Sequence, residues 1–191
     1  MRYRNYQSFT AIWAIIAVSF MLFIATLIAP QLIYSFFGLT PALFLAQPWT
    51  IITNMFVHSG FFHLFANMLT LYFFGTFFTR IVGESKFLMV YFAGGILGNI
   101  FFILLGPQFI PAVGASGAVF ALGGALAVMT PKLKVFVFPI PIPIPLWAAV
   151  IGGFFILSFL PFVAWQAHLG GLIFGLIAGY IFKRRMPHFS L

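Results

Sequence analysis

The sequence predicts an all-α membrane protein, a six-transmembrane-helix bundle with both termini on the cytoplasmic side, and three observations carry that prediction. Of the 191 residues, 63% are hydrophobic and 5% charged, with a mean hydropathy of +1.16, where a soluble domain carries about a quarter charged residues. Six apolar segments can be drawn, at roughly 9–29, 61–79, 87–105, 115–130, 146–161 and 166–182, and helices are the default way for such segments to satisfy their backbone in lipid. Threaded alternately, these segments put all nine basic residues (Arg2, Arg4, Arg80, Lys86, Lys132, Lys134, Lys183, Arg184 and Arg185) on one side and none on the other. The positive-inside rule makes that side cytoplasmic, and the chain 1–191 reads as a single transmembrane domain.

Each segment has its own reason. The first follows Arg2 and Arg4 and has the look of a signal peptide, but no small-residue cleavage site followed by a soluble domain appears, so it reads as a retained helix. Residues 30–60 form a long outer loop without a charge, rich in Phe, Leu, Ile and Pro and carrying Trp49; such a loop is expected to lie in the membrane interface. The second and third segments flank the cytoplasmic loop that carries Arg80, Glu84 and Lys86. The fourth is shorter than the ~20 residues that span a bilayer comfortably. Pro139-Ile-Pro-Ile-Pro-Ile-Pro145 reads as a stiff polyproline-like spacer before the fifth segment, in preference to a recognition motif. The sixth segment ends at Lys183-Arg-Arg185. No internal repeat of the transporter kind is visible.

Composition narrows the chemistry. There are no cysteines, which excludes disulfides, thiolate metal sites and a cysteine nucleophile. Asp is absent and Glu84 is the only acid, so any reaction must manage with one carboxylate at most. The formal charge of +8 would suggest a nucleic-acid partner in a soluble protein; here it reports topology, and no nucleic acid is expected.

Polar groups inside spans default to functional candidates. Counting helical rise back to the nearest cytoplasmic basic residue places each in depth. Ser116 lies 16 residues before Lys132 and His168 lies 15 before Lys183, or ~24 and ~22 Å. His63 and Asn67 lie 17 and 13 residues before Arg80, or ~26 and ~20 Å. Against a hydrocarbon core ~30 Å thick, all four sit at one level in the outer half. Taken singly, each has a structural reading: Ser116 packs helices or bonds back to the preceding turn, and His168 and Asn67 are interhelical glue. Gly171, Gly175 and Gly179, however, make a smooth face after His168, and Gly117, Ala121 and Gly124 offer a matching surface after Ser116. If those faces meet, serine and histidine meet at their outer ends.

A serine beside a neutral histidine is an activated nucleophile with its general base. The usual carboxylate is lacking, because Glu84 sits on the cytoplasmic side, so only a dyad remains and packing must orient the imidazole. His63 and Asn67 share one helix face at the right depth to donate to an oxyanion, and the Ser116 amide opens a short helix. A zinc site from His58, His63 and His168 would find no Asp or Cys to complete it. Gly-Ala-Ser-Gly-Ala also differs from the G-x-S-x-G elbow, since Ala118 stands where that motif needs Gly.

Three motifs then fall together: Gly114-Ala-Ser116-Gly117, the array His58-x4-His63-x3-Asn67, and Ala167-His168-x-x-Gly171-x3-Gly175. In this order and on these helices the chain resembles the rhomboid intramembrane serine proteases, over residues ~40–182, in their minimal six-helix prokaryotic form. The resemblance implies Ser116 as nucleophile and His168 as base, His63, Asn67 and the Ser116 amide as oxyanion donors, and His58, Phe120, Gly171 and Gly175 as packing around them. It implies an outer loop partly embedded in the membrane, lateral entry of substrate past the fifth helix, no cofactor and no metal. The expected partners are transmembrane protein substrates within the bilayer, and the expected location is a prokaryotic plasma membrane. Three positions depart from the family pattern: Phe120 where Tyr is common, Thr50 after Trp49 where Arg is common, and Thr79 where Glu is common. A non-catalytic rhomboid-like protein that binds membrane clients is the alternative; a small transporter or channel fits less well, for lack of intramembrane acids and repeats.

Overall fold

The computed structural model describes residues 9–137, 141–161 and 163–185; Arg2 and Arg4, used above to orient the chain, and Pro139 and Ile140 of the proline-rich stretch lie outside them. Each of the six apolar segments holds one helix. The first, α1 (Thr10–Ile28), runs without Gly or Pro and stops where Pro30 opens a second short helix, α2 (Pro30–Phe37), at the position where a missing N–H costs nothing. A 3₁₀ turn at Pro41–Leu43, the four-residue helix α3 (Thr50–Thr53) and a second 3₁₀ turn at Asn54–Phe56 follow. The uncharged outer loop is therefore built of short helical pieces. Its Trp49 indole donates to the Phe36 carbonyl at 2.8 Å, and Thr50 Oγ1 donates to the Gln47 carbonyl at 2.6 Å, a local bond.

The helices α4 (Phe61–Val82) and α5 (Glu84–Leu105) are joined by Gly83 at φ +89°. Thr79 lies inside α4, buried, and its hydroxyl has no hydrogen-bond partner among the described residues. Glu84 opens α5 and its Oε1 accepts the N–H of Ala11 at 2.7 Å, so the lone acid of the chain sits at the N-terminal ends of two helices, where the helix dipoles favour a negative charge. Beyond α6 (Ser116–Met129) a two-residue antiparallel ladder pairs β1 (Lys134–Val135) with β2 (Ile144–Pro145), and α7 (Leu146–Ser158) and α8 (Trp165–Arg185) complete the bundle.

The ladder adds to the picture of a stiff spacer a pairing at its C-terminal end. Val135 pairs with Ile144, and the Leu146 N–H donates to the Leu133 carbonyl at 2.8 Å. Polyproline and β backbones are both extended, so non-proline residues at the end of such a stretch can still pair where a partner strand is offered.

Among the described residues, α1, α4, α5 and α8 are long and apolar enough to cross a membrane, whereas α6 and α7, apolar too, have 14 and 13 residues. The short α6 is central. Eleven of its residues are buried, its largest interface is with α8, and α5 packs against both. The outside of the bundle is apolar as well: Trp13, Phe62, Phe73, Leu104 and Phe155 are all exposed. A soluble protein avoids so continuous a greasy surface, and a lipid-facing one requires it.

Candidate active site

Ser116 is the first residue of α6, and the chain reaches it through Gly114 at φ +121°. A side chain is disfavoured there by the backbone conformation; a Cβ would also come within 2.8 Å of the His63 ring. The two amides before the serine are both taken. The Gly114 N–H donates to the Asn54 carbonyl at 2.9 Å, and the Ala115 N–H donates to His58 Nε2 at 3.4 Å. The Ser116 N–H belongs to the first turn, whose amides have no acceptor within their own helix, at the positive end of the α6 dipole.

His168 comes from α8, and its Nε2 lies 2.7 Å from Ser116 Oγ. The approach that allows this is a seam without side chains. A Cβ on Gly171 would meet the Gly117 carbonyl, one on Gly175 the Ala121 carbonyl, and one on Gly179 the Ala125 carbonyl. Gly124, expected in that surface, lies in it as well: a Cβ there would come within 2.9 Å of the Leu172 carbonyl of α8. Residues 117, 121 and 125 form the i+4 row that runs alongside 171, 175 and 179, and the i+3 step to 124 adds a second close approach beside that row.

The imidazole of His168 is 5% exposed, and its Nδ1 is buried with no hydrogen-bond partner among the described residues. Orientation falls to Phe120, whose ring centre lies 4.7 Å from that of His168 with the planes inclined by 34°. Phe120 also touches Phe154 of α7 edge-on, at 6.1 Å.

The second helix contributes as follows. His63 Nδ1 accepts the Ser59 N–H at 3.4 Å, with the Ser59 hydroxyl 3.0 Å away. A neutral ring that accepts at Nδ1 carries its proton on Nε2, the nitrogen beside Gly114. Asn67 is buried and one of its amide hydrogens is spent on the His63 carbonyl, at 2.9 Å, so its side chain leans back along α4. His58, in the loop before α4, is fully buried with its ring 5.1 Å from His63. Nδ1 lies 3.3 Å from the Phe56 carbonyl, so His58 donates there and accepts from Ala115. Burial first, and then the neighbouring His63, hold the His58 imidazole down to about 3, against the opposing pull of the Phe56 carbonyl. It is therefore a neutral bracket between the loop and the serine turn.

The structure thus gathers Ser116, His168, His63, Phe120 and His58 around one point, with Gly171 and Gly175 behind it and Asn67 one turn away. Two polar residues of the same neighbourhood escaped the sequence reading. Asn99 and Asn54 bond to each other beside a narrow cavity that also touches Ser116. A signal for Asn99 was present: it is a polar residue inside the third segment, 13 residues after Lys86 or ~20 Å deep, level with the other four.

Comparison with known proteins gives the same direction. The Rhomboid domain family model matches residues 45–185. Over 132 residues the chain is 36% identical to the rhomboid protease GluP of Bacillus subtilis (strain 168), which covers 68% of this chain and 25% of GluP. It is 32% identical over 155 residues to Rhomboid protein 1, mitochondrial, of Saccharomyces cerevisiae (strain ATCC 204508 / S288c), covering 71% of this chain and 42% of that protein. It is also 32% identical over 125 residues to Inactive RHOMBOID-like protein 8 of Arabidopsis thaliana, covering 65% of this chain and 35% of the relative. The chain spans less than half the length of each of these curated relatives. The match over most of its length, on a helical bundle with an apolar outside, makes this a multi-pass membrane protein that belongs to the rhomboid family.

Proposed function

We propose that the protein is an intramembrane serine endopeptidase that cleaves transmembrane segments near the outer face of the membrane, with Ser116 as nucleophile and His168 as general base. The observation that carries this reading is the 2.7 Å approach of His168 Nε2 to Ser116 Oγ. The Ser116 hydroxyl proton passes to Nε2 as Oγ bonds to the substrate carbonyl carbon. The oxyanion so formed takes the Ser116 N–H and the His63 Nε2–H, with Asn67 joining if its amide turns from the His63 carbonyl. Collapse breaks the peptide C–N bond, the amine leaves with the proton held by His168, and a water repeats the sequence to release the acid. No carboxylate backs the imidazolium, so the Phe120 ring beside it does that work, through the attraction of a cation for an aromatic face.

In this reading α1, α4, α5, α6, α7 and α8 are the six crossings of one domain, and both termini are cytoplasmic, in a prokaryotic plasma membrane. Substrates are single-span membrane proteins. A helical substrate must unwind locally before its amide is accessible to Ser116, and the loosely covered flank at α7 is the side from which it enters. A second reading has one observation in its favour: the likeness to a relative named inactive. On that reading the site binds membrane clients without cutting them.

Labelling with a serine-directed fluorophosphonate in liposomes separates the two. The wild type is expected to label, and Ser116→Ala and His168→Ala to lose labelling and cleavage by at least ~1,000-fold. Undiminished labelling of Ser116→Ala sinks the assignment, and an unlabelled wild type favours the client-binding protein.

A further inference from the structure

Asn54 and Asn99 are 1% and 4% exposed and exchange two hydrogen bonds, Asn54 Nδ2 to Asn99 Oδ1 at 3.0 Å and Asn99 Nδ2 to Asn54 Oδ1 at 2.8 Å. The second hydrogen of Asn99 goes to the Ile51 carbonyl at 2.7 Å. A closed amide ring between the outer loop and α5 is an expensive feature to bury, and its removal from one side alone leaves the other amide unpaired. What it holds is visible from the next bond. The main-chain carbonyl of Asn54 is the acceptor for Gly114 N–H, at 2.9 Å, and Gly114 is two residues before Ser116.

The turn 54–58 therefore receives both amides that precede the nucleophile, through the Asn54 carbonyl and through His58 Nε2. Met55 packs against Gly95 of α5, so apolar contact already seats the turn against that helix. A greasy contact fixes distance but leaves rotation about the chain free. The amide ring fixes rotation: it sets the direction of the Asn54 carbonyl, and with it the plane of the Gly114 peptide at its positive φ. From there the chain reaches the Ser116 N–H and hydroxyl through Ala115, whose own N–H is held by His58.

We infer that Asn54 and Asn99 form a positioning pair that sets the Ser116 amide and hydroxyl for attack. The inference rests on the hydrolytic reading of Ser116 and adds to it residues that touch neither substrate nor reacting atoms. A positioning pair lowers the rate of the chemical step and leaves substrate binding alone.

The test compares full-length wild type, Asn99→Ala, Asn54→Ala and the double variant in liposomes, by the initial rate of fluorophosphonate labelling and by kcat and KM on a cleaved transmembrane substrate. Each single variant is expected to label about tenfold slower, with kcat reduced alike and KM within about twofold of wild type. The double variant is expected to be no slower than the slower single one, because both delete the same pair. Wild-type labelling by a folded Asn99→Ala, a raised KM at unchanged kcat, or losses that multiply in the double variant would each overturn the pair while leaving the assignment of Ser116 intact. A wild type that does not label overturns both. Should Asn99→Ala fail to fold, Asn54→Ser decides: it keeps the main-chain carbonyl and a small hydroxyl. A reduced kcat supports the pair, and a wild-type kcat refutes it.

Discussion

The glycines of α8 and those of α7 build two opposite kinds of helix surface. On α8, Gly171, Gly175 and Gly179 each stand where a side chain would collide with a main-chain carbonyl of α6. On α7, Gly152 and Gly153 have nothing within 4 Å of where a Cβ would be, and Phe155, Ile156, Phe159 and Leu160 nearby are exposed. In the first case glycine is the absence that lets two backbones touch, as small residues do between membrane helices. In the second it is a place where a helix is weakened and no neighbour requires it. Only the first surface carries a reactive residue. The close-packed seam fixes the distance from His168 to Ser116, and the sparsely covered α7 borders the same site without holding it.

The strongest way to break that contrast is Gly171→Ala. The added methyl meets the Gly117 carbonyl one residue beyond Ser116, and backbone can only move away. Overpacking of this kind costs about 1–3 kcal/mol, and a shift of an ångström between base and nucleophile costs on the order of a hundredfold in rate. Denaturant titration and fluorophosphonate labelling of Gly171→Ala should show both losses. If Gly171→Ala labelled like wild type, the seam would be packing and nothing more.

A smaller effect is expected where the two surfaces are joined. Phe120 has His168 on one side and Phe154 of α7 on the other. With the Nδ1 of His168 buried and without a hydrogen-bond partner among the described residues, the Phe120 ring is what keeps the imidazole turned toward Ser116. Phe120→Ala should slow labelling about tenfold, in keeping with the loss of one orienting contact in a near-attack arrangement, whereas Phe154→Ala should slow it less. Equal effects would mean that α7 holds the site after all.

The sequence reading reached the seam and stopped short of what lies around it, for physical reasons. Helix extents followed from apolar length and from Gly and Pro at the ends, and the meeting of Ser116 with His168 followed from common depth and small residues every fourth position. Rotation about a helix axis was encoded less sharply: Gly124 was expected against α8 and is there, but the contact of Ala125 with Gly179 was not foreseen. Contacts between distant segments were less legible still. The cap of α1 by Glu84 joins residues 73 apart, and the amide ring of Asn54 and Asn99 joins residues 45 apart; neither has a local periodicity to announce it. Geometry also separates residues that the motif treats alike: His63 turns its Nε2 toward the serine turn, while Asn67 is bonded back along its own helix.

The smallest expected effect is the most discriminating, because it is nearly an absence. Gly152→Ala replaces a poor helix former with the best one at a position where the new methyl meets no atom within 4 Å, so α7 should gain up to about 1 kcal/mol of stability, and labelling by the small fluorophosphonate should stay within about twofold of wild type. A transmembrane substrate is a different probe, since it must come alongside a helix to reach Ser116. If its cleavage is slowed while labelling is not, the open glycine surface of α7 is where a substrate helix lies, and the contrast sharpens into a division between a surface closed for chemistry and a surface kept open for access. If labelling itself falls, then α7 is coupled to the dyad through Phe154 and Phe120, and the two glycine surfaces are parts of one packed unit.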